Sequence, residues 1–250
     1  MTGLLDVPVT LATAGRVLAQ LRADRRTVAM LLVVPSALLA VTKQALDSRT
    51  LFDQVGLSLV GIFPLTTMFL VTSVAMLRER TSGTLERLLT TPMTKLDLLL
   101  GYGLAFSVAA TAQTLVVVAI AYGLLGLQTP GSRAFVVAVA LLSALLGTSL
   151  GLLASAFATS EFQAVQFLPA VILPRTLLGG LFVSREALPD WLHALSDLMP
   201  LSYAIEALQE VGRRSIITVT LLHDLAVLVG VTLVALVAAA ASLRRRTPSA

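Results

Sequence analysis

The chain has no cysteine, only two histidines and a low share of charged residues. Without cysteine it can form neither a disulfide framework, nor a cysteine-ligated zinc site, nor a thiol nucleophile. Charged residues make up 13% of its 250 residues, whereas a typical soluble domain carries about 25%. The composition therefore argues against a soluble globular domain.

Motifs of nucleotide-binding and zinc enzymes are also missing. The only lysines, Lys43 and Lys95, each follow a threonine, so the Gly-Lys-Ser/Thr signature of a phosphate-binding loop cannot occur. His193 and His223 stand thirty residues apart, which rules out a His-Glu-x-x-His zinc helix. We expect a non-catalytic chain that binds no metal or cofactor itself. The net charge of +4 is attributed to orientation in a membrane rather than to nucleic-acid binding.

Apolar residues are abundant and fall in long blocks. They make up 56% of the chain, and each block has about twenty residues, the length of helix that crosses a hydrocarbon core of roughly 30 Å. The pattern predicts an all-α polytopic membrane protein with six transmembrane helices within residues 27–243. The predicted spans are 27–45, 55–77, 98–125, 134–157, 162–183 and 223–243. In the fourth span, Gly147 and Gly151 have the spacing that allows close helix packing.

The segments outside these spans are short. In residues 1–26, four apolar residues recur at helical spacing: Leu11, Ala14, Leu18 and Leu21. This stripe predicts an amphipathic helix lying in the membrane interface; a frayed basic tail is the alternative. Residues 184–222 are too few for a folded external domain and predict one or two short helices on the outer side. We expect residues 244–250 to form a cytoplasmic tail.

Six spans place both termini on the same side of the membrane, and the basic residues indicate which side. Eleven Lys and Arg residues fall on the side of the termini and of the connection after the second span, against six on the other side. Cytoplasmic loops of membrane proteins carry an excess of Lys and Arg. We therefore expect both termini and that connection in the cytoplasm.

The densest charge cluster lies at residues 78–92, between the second and third spans. On a helix with about 100° per residue, its polar residues share one face and its leucines the other. The polar face consists of Glu79, Arg80, Gly83, Glu86 and Arg87, and the apolar face of Leu85, Leu88 and Leu89. Gly83 costs a helix roughly 1 kcal/mol relative to Ala, which favours close approach of another backbone there. This predicts a docking helix; the alternative is a solvated loop in which Gly83 only separates two helices.

The residue order in this stretch resembles a known family. Glu79-Arg80-x-x-Gly83-Thr84-Leu85-Glu86-x-Leu88-Leu89-x-x-Pro92 is similar to the connection after the second membrane helix in permease subunits of type-2 ATP-binding-cassette exporters, which include the daunorubicin-resistance type. The resemblance implies a coupling helix at about 78–92 that contacts a separate ATPase subunit. ATP and Mg²⁺ would be bound by that ATPase, and a second permease subunit would complete a dimer.

The resemblance also assigns residues and a location. It implies an ATPase-coupling set in which the charged residues contact the partner, the glycine allows close approach and the proline ends the helix. The set is Glu79, Arg80, Gly83, Thr84, Glu86, Arg87 and Pro92. The implied location is the cytoplasmic (inner) membrane of a prokaryote, with a multi-pass chain.

By the same resemblance, the second and fifth spans line the substrate cavity at the dimer interface. The residues assigned to this pathway are Phe63, Thr66, Thr67, Phe69, Ser73, Phe167, Pro174 and Arg175. Helix packing is the alternative for the set in the second span. For Arg175 the alternative is that its long side chain reaches the lipid headgroups.

The predicted function is a permease subunit of an ATP-driven exporter, moving a hydrophobic or amphipathic, drug-like or lipid-like substrate out of the cell. Two other classes stay open at this point: a passive channel or carrier, and a membrane assembly or sensor subunit that transports nothing. Solute flux through the purified chain alone would favour the channel. Continued export after deletion of the gene would favour the sensor.

Overall fold

The computed structural model describes residues 6–84, 93–178, 189 and 199–244, and this part of the chain contains helices and no strand. The helices are α1 (Val7–Ala23), α2 (Arg25–Ala45), α3 (Arg49–Thr81), α4 (Lys95–Gly123), α5 (Arg133–Phe157), α6 (Glu161–Leu178), α7 (Pro200–Arg213) and α8 (Val219–Arg244).

Five of these helices are long and apolar enough to cross a membrane: α2, α3, residues Leu96–Gly123 of α4, α5, and residues Val219–Ser242 of α8. They confirm the all-α, multi-pass membrane fold. The predicted fifth span corresponds to α6, and the part of that span beyond Leu178 lies outside the described residues. The count of six spans therefore stays a prediction.

The centre of the bundle is the contact between α3 and α5. Gly147 and Gly151 of α5 face the backbone of α3 one turn apart. A Cβ added at Gly147 would overlap the carbonyl oxygen of Leu65, and one added at Gly151 would lie 2.7 Å from that of Phe69. The predicted close packing at these two glycines is confirmed, because only a hydrogen fits between the helices there.

α2 and α8 form the flanks of the bundle and expose apolar side chains. Met30 and Val41 of α2 and Val234 and Val237 of α8 are each more than 60% exposed. In water such surfaces would be unfavourable, whereas lipid tails match them. The exposed faces thus fit a chain whose solvent is the bilayer.

The segment before the last span contributes a helix that packs inside the bundle. α7 buries Leu201, Ile205 and Leu208 against α8 and α3. The Val211 carbonyl also accepts a hydrogen bond from the Gly131 N–H at 3.1 Å. The predicted short helix is therefore present in residues 200–213, and it closes one end of the bundle, which we call the outer end.

The N-terminal helix α1 packs along α4 rather than standing free. Its buried residues are Thr10, Thr13, Ala14 and Val17. Thr13 meets Gly101, where an added Cβ would lie 2.6 Å from the Thr13 Cβ. Of the predicted stripe, Ala14 is buried, Leu18 and Leu21 pack partly buried against the same apolar cluster, and Leu11 is 55% exposed. The interfacial position of this helix stays a prediction.

Candidate functional site

The site is built around the connection between α3 and α4, residues 82–94, of which 82–84 and 93–94 are described. We call the end of the bundle that carries it the inner end. α3 stops at Thr81, and Gly83 follows with a φ of 71°, a left-handed conformation that favours glycine. Gly83 therefore lies just past the end of a helix, and its placement within one helix over 78–92 is wrong. The alternative, that it separates two helices, agrees with the structure.

The start of α4 is fixed by Asp97, whose side chain is fully buried. Its Oδ2 accepts hydrogen bonds from the Thr94 N–H at 3.0 Å and hydroxyl at 2.7 Å, and the Thr94 Oγ1 accepts one from the Asp97 N–H at 3.1 Å. This is a capping box. Oδ1 accepts from the Asp6 N–H at 2.8 Å and the Thr10 hydroxyl at 3.2 Å. One carboxylate thus joins the end of the connection to the first turn of α1.

The end of α3 is joined to α1 and α4 through Glu79. Its side chain is 13% exposed, and its Oε1 lies 3.5 Å from Nη1 of Arg16. The other terminal nitrogen of Arg16, Nη2, donates a hydrogen bond of 2.6 Å to the hydroxyl of Tyr102 on α4. The Glu79 carboxylate is therefore turned into the bundle.

Two arginines tie the same end of α3 to α5 and α6. Arg80 donates a hydrogen bond of 2.5 Å from Nη1 to the backbone carbonyl of Ser155. Arg78 donates to both oxygens of Glu161, from Nε at 2.7 Å and from Nη2 at 3.0 Å. This bidentate hydrogen bonding holds the pKa of Glu161 below its usual range. Four helices are thus connected at the inner end through α3.

These contacts change the interpretation of the predicted coupling residues. Glu79 and Arg80 do not share a face open to a partner, because the helix turns one toward α1 and the other toward α5. Thr84 is half-buried, with its hydroxyl 2.9 Å from that of Ser82. Three further members of the predicted set lie outside the described residues: Glu86, Arg87 and Pro92. Their coupling role stays a prediction.

The predicted pathway residues of α3 divide into two groups. Phe69 and Ser73 are fully buried in the bundle, and the Ser73 hydroxyl donates to the Leu70 carbonyl at 3.1 Å. Both therefore pack between helices in this structure, as the alternative interpretation holds. Thr67 donates to the Phe63 carbonyl at 2.8 Å and accepts a short hydrogen bond from the Gln113 amide of α4, so it also joins two helices.

The remaining pathway residues leave the prediction open. Phe63 and Thr66 are half-buried, and the Thr66 hydroxyl donates to the Phe63 carbonyl at 2.8 Å. Phe167 of α6 packs against a small apolar cluster at the inner end. Pro174 and Arg175 belong to α6, but their side chains lie outside the described residues.

One motif match that sequence reasoning missed lies in α5. Gly147-Thr148-Ser149-Leu150-Gly151 has the letters of the Gly-x-Ser-x-Gly nucleophile motif, which requires an exposed serine at a strand-to-helix turn. Here Ser149 is buried within a helix and its hydroxyl donates to the Leu146 carbonyl at 2.9 Å. The match is therefore no catalytic site. No group of His, Asp and Glu within the described part of the chain could hold a metal ion.

Sequence reasoning also missed Arg16, Asp97 and Tyr102, whose side chains join helices at the inner end. A signal for Asp97 was available, since Thr94-x-x-Asp97 before an apolar run is a capping-box pattern. Nothing local indicates Arg16 or Tyr102, because their partners lie more than 60 residues away in sequence.

Comparisons with known proteins agree with this architecture. The chain is similar to the probable multidrug ABC transporter permease YbhR of Escherichia coli (strain K12), with 29% identity over 156 residues, which is 62% of this chain and 42% of the relative. It is also similar to the probable multidrug ABC transporter permease YbhS of the same organism, with 28% identity over 56% of this chain and 37% of the relative.

A third relative is ABC transporter G family member 20 of Dictyostelium discoideum, with 26% identity over 56% of this chain and 19% of the relative. In each case the match spans less than half of the relative's length. The family described as ABC-2 type transporter matches residues 12–211, which include α3, α4 and the connection between them. Because this match covers most of the chain, the protein belongs to the ABC-2 type transporter family, in agreement with the resemblance of its charged connection to type-2 permeases.

Proposed function

We propose that the chain is the membrane-spanning permease subunit of an ATP-driven exporter, energised by a separate ATPase that binds ATP and Mg²⁺. Family membership supports the permease role, and two relatives are named as probable multidrug permeases. The cargo would be a hydrophobic or amphipathic molecule, either drug-like or lipid-like. The location would be the cytoplasmic membrane of a prokaryote, with both termini inside, since the basic residues concentrate on that side.

The observation that carries this proposal is the bracing of the 82–94 connection. On one side, Glu79, Arg80 and Arg78 hold the end of α3 to three other helices. On the other side, Asp97 holds the start of α4 to α1. A displacement of the connection by a partner would therefore move several helix ends together. Packed helices transmit such a displacement because close-packed interiors deform little.

A pair of permease subunits completes the proposal. The predicted six spans are few for enclosing a route across the membrane, and α2 leaves an apolar face exposed. We propose a homodimer or heterodimer, with one ATPase seated on each 82–94 connection. ATP binding would draw the two ATPases together, and the connections would pass this movement to the membrane helices.

Cysteine crosslinking tests the contact with the ATPase directly, because the chain has no native cysteine. Ser82→Cys places an exposed thiol in the connection. It should crosslink to the partner ATPase when the two proteins are expressed together in membranes. Gln128→Cys is the matched control, because Gln128 is also exposed but lies at the outer end. If the Ser82→Cys thiol reacts only with lipid or with a water-soluble reagent throughout turnover, and never with the ATPase, the proposal is contradicted.

Transport assays separate the proposal from its alternatives. Proteoliposomes with both proteins should accumulate substrate only when ATP is supplied. Glu86→Arg should leave membrane insertion intact and uncouple ATP hydrolysis from export, whereas Asp47→Arg, an exposed residue outside the connection, should export normally. Flux through the chain without an ATPase would indicate a channel or carrier. ATPase binding without any flux would indicate an assembly or sensor subunit.

A further inference from the structure

A cavity of about 760 Å³ lies at the inner end between α1, α2, α3 and α4. Its volume falls in the range of roughly 300–1,000 Å³ typical of drug-sized ligands. Apolar side chains from all four helices line it, among them Leu21, Met30, Val74 and Phe106. None of the predicted pathway residues whose side chains the structure describes lines this cavity.

Glu79 gives this apolar cavity an acidic group that is incompletely satisfied. The carboxylate lines the cavity, its Oε1 is 3.5 Å from Arg16, and its Oε2 is buried with no hydrogen-bond partner among the described residues. Arg16 gives its shorter contact, 2.6 Å, to Tyr102. A buried carboxylate oxygen without a donor is unfavourable. A small rotation about the soft terminal torsion of Glu79 would present that oxygen to a ligand.

The other charged groups of the lining also favour a cation. Asp24 stands at the cavity and accepts hydrogen bonds from the Thr27 hydroxyl at 2.6 Å and N–H at 3.1 Å. These bonds lower the pKa of Asp24, so it is ionised at neutral pH. The positive charge of Arg78 is engaged by Glu161. Together with their partners Arg16 and Glu161, the described charged residues of the lining make three carboxylates against two guanidiniums.

We propose that this cavity binds an amphipathic cation, with its N–H donors at Glu79 and its apolar body along Leu70, Val74 and Phe106. An anion would meet an excess of carboxylates, and a neutral molecule without a donor would leave Oε2 of Glu79 without a hydrogen bond. The assignment of a binding site stands on the cavity alone. The further interpretation of this cavity as the entry site for exported cargo rests on the proposed function.

Binding can be measured without an ATPase, on the purified chain in nanodiscs of phosphatidylcholine at pH 7. Ethidium, a cationic amphiphile with amino N–H groups, gains fluorescence in apolar surroundings, and uncharged pyrene, which has no N–H donor, serves as the neutral probe. Glu79→Gln removes the charge at constant size. It should weaken ethidium binding about tenfold, the effect of losing one charge-assisted hydrogen bond, and leave the neutral probe unchanged.

Two further variants keep the test decisive. Asp53→Asn makes the same kind of charge change at the outer end, where Asp53 accepts a hydrogen bond from the Gln128 N–H, and should bind ethidium as the native chain does. Val74→Trp fills the cavity and should weaken both probes at least fivefold, even where Glu79→Gln fails to fold. Native ethidium affinity in Glu79→Gln or Val74→Trp, or an equal loss in Asp53→Asn, would overturn the proposal.

Failure of this site and failure of the proposed function give different results. Selective ethidium binding that depends on Glu79, together with no ATP-driven export in proteoliposomes, would refute the exporter and leave the site. ATP-driven export, together with ethidium binding that ignores Glu79 and Val74, would refute the site and leave the exporter.

Discussion

Removal of the Asp97 carboxylate should release the N-terminal helix from the bundle. Asp97 is fully buried, and its Oδ1 holds α1 through the Asp6 N–H at 2.8 Å and the Thr10 hydroxyl at 3.2 Å. Asp97→Ala deletes both contacts and leaves a gap between α1 and the start of α4. The consequence should be a larger population of molecules in which α1 is detached while the rest of the bundle remains folded.

The magnitude follows from the two hydrogen bonds. Bonds to a charged group contribute about 1.5–3 kcal/mol each, so the loss of two at the lower limit is about 3 kcal/mol. Since about 1.4 kcal/mol is tenfold in an equilibrium, the detached population should rise about 100-fold. Asp97→Asn keeps one neutral oxygen as acceptor, and neutral hydrogen bonds are about half as strong. Its detached population should therefore rise only about tenfold.

Thiol labelling measures this opening. Thr13→Cys buries a thiol between α1 and α4, since Thr13 is 4% exposed. Under slow labelling the maleimide rate follows the open population, so it should rise about 100-fold in Asp97→Ala and tenfold in Asp97→Asn. Asp53→Ala, at the outer end, should leave it unchanged, and a thiol at the buried Ala140 of α5 should stay protected throughout. A rise below threefold in Asp97→Ala would show that this carboxylate does not hold α1.

Two more predictions concern the core and the inner end. Gly147→Ala should destabilise the detergent-solubilised chain by about 1–3 kcal/mol, because the new methyl group meets the Leu65 carbonyl. The control Gly230→Ala should not, because the space around Gly230 is open. Equal melting temperatures of the two variants would refute the close packing of Gly147 as the cause. Glu161→Gln should cost less than about 1 kcal/mol at pH 7, since its ion pair with Arg78 is half-exposed. Because that pair lowers the pKa of Glu161, its contribution is complete above the usual glutamate pKa of about 4.3. It is lost as the pH falls from there through the lowered pKa of the folded state; a stability difference that does not shrink as the pH is lowered below about 4.3 would contradict the assignment.

The spans could be predicted from the sequence because burial in lipid imposes a simple local rule. A helix in a bilayer must satisfy its backbone internally and carry apolar side chains, so α2, α4 and α5 begin and end within a few residues of the predicted limits. The close contact at Gly147 and Gly151 was also predictable, because their spacing puts both on one helix face. Because the membrane surrounds every span with the same apolar environment, the local residue pattern is sufficient to predict where a span begins and ends.

The inner end was less predictable because its contacts depend on tertiary structure. The rule of 100° per residue places Glu79 and Arg80 on one polar strip, which is correct for an isolated helix. In the folded chain α3 reaches this end already surrounded by α1, α5 and α6, so residues one position apart meet different neighbours. The position of Gly83 was ambiguous for a similar reason, since a glycine weakens a helix wherever it stands and also ends one.

The contacts at the end of α3 also restrict which residues a partner protein can bind. Arg78, Glu79 and Arg80 each contact another helix of the same chain, and a partner that bound them would first have to break those contacts. Gly83 follows just past the end of α3 in a left-handed conformation. A force applied to the connection therefore reaches α3 through its backbone. The contacts of Arg78, Glu79 and Arg80 then pass that force to the neighbouring helices. Charge reversal at Glu86 should then abolish coupling with little effect on the fold, whereas charge reversal at Glu79 should disturb the fold as well.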